Sequence, residues 1–222
     1  MEKELTSTQP VSDRLVASWE ILSVISSFLM AEWIIRPFGS RDKLIAAIPL
    51  SIALIVMILS HVARGETFRS LGWRFDNFWL AIRFLAIPTF CGVAVILFAG
   101  WATKGFGSSK WREWQWVLWL HLWALVQQYA LQGFINRRAQ IVWGTGYRSI
   151  LLVAVVFALL HLPNPGLTVG TFVGGALWAA AYQRFPNLFA LSLCHGLMSL
   201  LLVWALPGSV LGGLRVGLRY FV

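Results

Sequence analysis

The chain has 222 residues, 58% of them hydrophobic and only 12% charged, with a mean hydropathy of +0.71 and a net charge of +9. Soluble domains run to about 45–50% apolar and about 25% charged residues, so the composition excludes a soluble globular domain and points to an all-α, polytopic membrane bundle. The basic residues lie in short segments between apolar runs, where topology and anionic headgroups account for them; nucleic acid is not expected as a partner.

The first fourteen residues, "MEKELTSTQPVSDR", form a polar tail of mixed charge with no basic region leading into a short apolar core, so no cleavable signal is expected. A membrane-embedded bundle is expected over 15–206, with a Gly-rich basic tail over 207–222. A spanning helix needs roughly 20 apolar residues, which gives about seven spans near 15–35, 44–63, 78–100, 114–134, 147–163, 167–184 and 187–206. Positive charge falls almost evenly on the two sides of this arrangement and sets no orientation. In the first span, Glu32 has Arg36 one turn on as an ion-pair partner, whereas Glu20 has no local one.

The fourth span opens on "KWREWQWVLWLHLW", where Trp111, Trp114, Trp116, Trp119 and Trp123 read as an interfacial aromatic belt rather than a ligand cage. "PNP" at 163–165 ends the fifth span, because proline removes backbone donors. In the sixth, Gly170 and Gly174 stand at G-x-x-x-G spacing and predict a close helix contact within the chain. Cys91 and Cys194 lie in apolar runs and read as free thiols.

Polar residues inside a membrane are costly, so each is a functional candidate. His121, Gln128 and Gln132 fall on one stripe of the fourth span, with Gln127 about 100° round from Gln128. His161 ends the fifth span, and Ser192, His195 and Ser199 share a face of the seventh. Two readings stay open: interhelical hydrogen-bond glue, worth under about 2 kcal/mol per contact, or a reactive site. No cofactor is read from these residues. Zinc would need three or four ligands, and the candidate set of His121, His161 and His195 has no acid beside it. All nine acidic residues lie at or before Glu113, about 21 Å of helix from Gln127; Glu20 is the one stand-in acid.

Three stretches carry a resemblance: "QQYALQ" (Gln127 to Gln132), "FALLH" (Phe157 to His161) and "HGLMS" (His195 to Ser199). In order, spacing and placement on successive spans they resemble the E-E-x-x-x-R, F-x-x-x-H and H-x-x-x-N elements of the CPBP (CaaX-protease and bacteriocin-processing, or Abi) membrane proteins. "FRSLGWRF" upstream is similar to that family's Leu-Gly element, which carries the resemblance over about 68–206. The resemblance implies an integral, multi-pass protein of a bacterial plasma membrane. It also implies an intramembrane endopeptidase acting on a peptide or lipidated protein, with His161 and Gln127 at the water and His195 and Ser199 at the oxyanion.

Gln127 and Gln128 replace the Glu pair, and Gln132 replaces the Arg. A carboxamide has no proton that titrates near pH 7 and cannot be a general base. Removing only the acids would strand a buried arginine, so the triple replacement leaves a neutral, self-consistent site. It opens a second expectation, a pseudoprotease that binds a membrane peptide or partner protein without cutting it. A transporter is a third, disfavoured by the lack of paired interrupted helices.

Overall fold

The computed structural model describes residues 5–38, 43–106 and 114–221, and every regular element in them is helical. Helix α1 (Leu5–Leu29) runs through a π-helical turn, Met30–Ile35, into the short α2 (Arg36–Phe38). Then come α3 (Lys43–Ala63), α4 (Phe78–Ala102) and α5 (Trp114–Gln128). A π-helical segment, Tyr129–Asn136, joins α5 to α6 (Arg137–Trp143) without a break. Helices α7 (Tyr147–Leu159), α8 (Pro165–Arg184) and α9 (Leu188–Ala205) follow, and α10 (Gly208–Leu211) begins the C-terminal segment.

Three helices, not the seven expected, are long and apolar enough to cross a membrane among the described residues: Val11–Ile35, Phe78–Ala102 and Leu188–Ala205. Helices stand at all seven expected places, but local chemistry shortens or dilutes α5, α7 and α8. The α7 helix has 13 residues before the proline break. After 15 residues α5 passes into a segment holding Gln132 and Asn136, and α8 ends on Gln183 and Arg184. Helix α4 exposes Trp79, Ile87, Phe90, Val95 and Phe98, side chains that hydrocarbon solvates and water does not.

Helix α9 packs between α4 and α5, α7 pairs with α8, and α1 lies against α3 and α6. The main core joins Ile21, Leu85, Phe134, Phe157, Tyr182 and Leu191 from six different segments. In lipid, such contacts hold through close packing more than through expulsion of water. The closest backbone approach of α7 and α8 is at Gly175, where a Cβ would lie 3.2 Å from Ala154 Cα. Gly170 has nothing within 4 Å and Gly174 meets only Trp178 of its own helix, so the G-x-x-x-G pair is not the contact that was expected.

The proline break becomes a helix start. Asn164 caps α8, its Oδ1 accepting from the Leu167 amide at 3.1 Å, and Pro165 fills the first turn, where no amide donor is required. The buried Asn164 amide also donates to the Leu211 carbonyl at 2.6 Å, which ties the C-terminal segment to this turn. "FRSLGWRF" lies in the α3–α4 loop and is sewn to the α8–α9 turn. Tyr182 Oη donates to the Leu71 carbonyl at 2.9 Å, Leu188 N to the Gly72 carbonyl at 2.9 Å, and Asn187 Nδ2 to the Arg74 carbonyl at 2.7 Å. Phe75 stacks on Phe189 with centroids 4.3 Å apart. In the same loop, hydrogen bonding from Arg74 holds the Asp76 carboxyl down at about 2.

Candidate functional site

His195 of α9 and His161, in the turn after α7, stand against Phe157 of α7, and Gln128 of α5 reaches His195. The Phe157 ring stands edge-on to both imidazoles, 4.8 Å from His161 and 5.7 Å from His195, and Trp178 covers His195 at 4.4 Å. Gln128 is fully buried, and its Nε2 lies 3.3 Å from His195 Nδ1.

These contacts assign opposite tautomers to the two histidines. His161 Nδ1 lies 2.7 Å from the Phe157 carbonyl oxygen, which only accepts, so Nδ1 carries the hydrogen and Nε2 the lone pair. His195 Nδ1 accepts from the Gln128 amide, so a neutral His195 carries its hydrogen on Nε2. The pair thus offers one basic nitrogen and one N–H donor. His121 takes a different role: its Nδ1–H donates to the Val117 carbonyl at 2.8 Å and its ring lies against Gly196, where a Cβ would come 2.5 Å from its Cδ2.

Past Gln128 the π-helical segment widens the turn, and Gln132, Asn136 and Gln140, four residues apart, form a hydrogen-bonded ladder. Every side chain from Ala130 to Asn136 is buried. Asn136 Nδ2 donates to Gln132 Oε1 at 2.8 Å and to the Ala179 carbonyl at 3.3 Å. Its Oδ1 accepts from Gln140 Nε2 at 3.1 Å and from Gln183 Nε2 at 3.0 Å, and Gln183 also donates to Ser149 Oγ at 2.9 Å. Gln132 therefore belongs to a neutral amide network. Gln128 Oε1 and Gln132 Nε2 remain buried without a partner.

Gln127 is half-buried with no side-chain hydrogen bond to a described residue, and Ser199, one turn beyond His195, is half-buried and unlinked to Gln128. Trp116, Trp119 and Trp123 are exposed, as an interfacial belt requires. Trp111 and Glu113 lie outside the described residues. Among those described, no three His, Cys, Asp or Glu side chains group closely enough to hold a metal ion. Because these histidines do not form such a group, no step is derived through zinc.

The acid that the second half of the chain lacks is supplied from a distance to another place. Arg138 has no exposed surface and binds Glu66 Oε2 at 2.7 Å, Glu66 Oε1 at 3.1 Å, Glu20 Oε2 at 3.0 Å and Ser60 Oγ at 3.1 Å. Glu20, with no local partner in sequence, thus finds three across the bundle: Ser60, Arg64 and Arg138. Glu32 keeps Arg36, at 2.6 Å. Burial would raise the Glu66 carboxyl, but hydrogen bonds from His61, Arg138 and Arg137 hold it well below the usual carboxylate range. An open cavity of about 480 Å³ lies at this cluster, not at the histidines. Glu20 without a local partner and the paired Arg137 and Arg138 were the visible signs of the cluster; the amide ladder of Asn136, Gln183 and Ser149 had none.

No family model matches the chain, and neither the curated proteins nor the solved structures include a significant match.

Proposed function

We propose that the chain is a multi-pass integral membrane protein of the CPBP type that hydrolyses a peptide bond close to the membrane, with a histidine as base in place of the missing acid. The observation that carries this reading is the opposite tautomers of His161 and His195 around Phe157. His161 Nε2 takes a proton from water, and the oxygen adds to the scissile carbonyl carbon. The N–H of His195 stabilises the oxyanion, while Gln128 holds that ring in its donor form. As the C–N bond breaks, His161 returns the proton to the leaving amine. Gln127 and Ser199, both half-buried, are the side chains available to orient water and substrate.

The second reading is a pseudoprotease that binds a membrane peptide or partner without cutting it. It is favoured by the neutrality of the site, where Gln128 meets His195 and Gln132 belongs to the Asn136 amide ladder, in the place of the charges of an acid-activated site. Reconstituted protein and its His161→Ala variant, offered quenched peptides with and without a prenylated cysteine, separate the two. Cleavage lost in His161→Ala supports the peptidase, and undiminished cleavage overturns its base. Binding without product in both proteins supports the pseudoprotease.

A further inference from the structure

Five ionised side chains meet where the end of α3, the loop after it and the start of α6 come together: Glu20, Glu66, Arg64, Arg137 and Arg138. His61 joins them, its Nδ1 2.6 Å from Glu66 Oε2. A carboxylate only accepts, so Nδ1 carries its hydrogen, and the 3.3 Å approach of Arg138 Nη2 to that nitrogen is a contact between two donors. Besides His61, three guanidinium groups face two carboxylates, leaving one positive charge in excess.

That excess is not shared evenly. Both oxygens of Glu66 are taken up, Oε1 by Arg137 at 2.6 Å and Oε2 by Arg138 at 2.7 Å. Among the described residues, the Arg64 side chain reaches only Glu20, through a single nitrogen at 3.3 Å, and its Nε is buried without a partner. Arg64, Glu66, Arg137, Gln140 and Ile141 line the open cavity. Gln140 Nε2 gives one hydrogen to Asn136 and Arg137 Nη1 donates to the Ser70 carbonyl at 3.0 Å, so the uncommitted N–H groups of Arg64 and Arg137, with the second Gln140 hydrogen, are the donors for an incoming group. We propose that this cavity binds a phosphate group, carried by the headgroup of an anionic phospholipid. Guanidinium forks match phosphate oxygens in geometry as well as charge. A site in a membrane-embedded chain meets phosphate chiefly on lipid, and Ile141 gives the cavity an apolar flank. The proposal is independent of the peptidase reading.

The test uses the full chain reconstituted in vesicles, with arginine modification by phenylglyoxal followed at each site by peptide mass spectrometry. The three arms are phosphatidylcholine alone, phosphatidylcholine with phosphatidylglycerol, and phosphatidylcholine with inorganic phosphate. Arg69, which is exposed and paired with Asp76, is the internal control. Protection of Arg64 and Arg137 beyond that of Arg69 is expected with phosphatidylglycerol, about tenfold when the lipid is at ten times its Kd. Equal protection by inorganic phosphate would keep the phosphate site and reassign its source. No protection, or the same protection at Arg69, overturns the proposal. Arg64→Gln gives a second reading by thermal shift: phosphatidylglycerol should raise the Tm of the unaltered protein more than that of the variant, and equal rises count against the site.

Discussion

Arg138 and Glu66, 72 positions apart in the chain, hold each other through two hydrogen bonds, at 3.1 and 2.7 Å, in a place where Arg138 exposes no surface. The pair ties α6 to the loop after α3, and Glu20 extends the tie to α1. Fully formed, such a pair stabilises little relative to apolar packing, because both charges were first taken out of water. Broken on one side, it leaves a buried charge uncompensated.

Glu66→Gln should therefore destabilise the protein by about 3–5 kcal/mol, measured by denaturation in detergent micelles. The carboxyl of Glu66 is lowered from its ordinary value of 4.5. Its stabilising contribution is accordingly complete above pH 4.5 and declines as pH falls from there toward the lowered value, because the unfolded chain binds the proton first. Melting profiles below pH 4.5 should be steeper for the unaltered protein than for Glu66→Gln; identical slopes would remove Glu66 from the acid response.

Asn136 is the hub of the amide ladder, with four hydrogen bonds to Gln132, Ala179, Gln140 and Gln183. Truncation to alanine leaves several buried partners stranded, each costing about 1–3 kcal/mol if nothing replaces the bond. Asn136→Ala should lower the Tm well beyond Thr145→Ala, whose hydroxyl makes one exposed bond of 3.4 Å. Similar Tm values would mean that water repairs the ladder.

Gly196 sets the distance between α5 and α9. A Cβ there would come 2.5 Å from His121 Cδ2 and 2.8 Å from Cγ, so the ring must turn and its bond to Val117 is lost. Overpacking of this kind costs about 1–3 kcal/mol. Gly196→Ala combined with His121→Ala should recover most of the loss from Gly196→Ala alone, and a double mutant no more stable than the single one would refute the contact.

Gln127 and Gln128 should respond differently to replacement by glutamate. Gln127 is half-buried, so Gln127→Glu should fold with stability within about 0.5 kcal/mol of the parent. Gln128 has no exposed surface and faces an imidazole with no cation near it. A carboxylate there is buried unpaired, and Gln128→Glu should lose about 3–5 kcal/mol. If Gln128→Glu proves as stable as Gln127→Glu, water or a proton reaches that position.

Much of the architecture could be read along the chain. Apolar runs mark the helices, and the 163–165 prolines end one of them at the residue before which Asn164 caps the next. His161 and His195 were placed by their spacing, and both stand against Phe157. These features depend on backbone propensity and local hydrogen bonding, which neighbouring residues dictate. Helix periodicity did not show where Gln132 finds its partners: His121 and Gln128 share α5, but beyond it the π turn leads Gln132 to Asn136, which bonds Gln140 in turn. A widened turn leaves little trace in a hydrophobic pattern, since every residue across it is buried. The G-x-x-x-G spacing misled for a related reason. Closeness at Gly175 depends on which face of α8 meets α7, and small residues stand on more than one face.

What the chain alone determined is the helical class, the apolar surplus and the positions of the candidate side chains, because these follow from each residue's own chemistry and that of its near neighbours. The tertiary structure decided which partners those side chains meet. Glu20 and Glu66 reach Arg138 across the bundle, Gln128 reaches His195, and the histidines take opposite tautomers, because helix packing brings together groups that are dozens of residues apart in sequence.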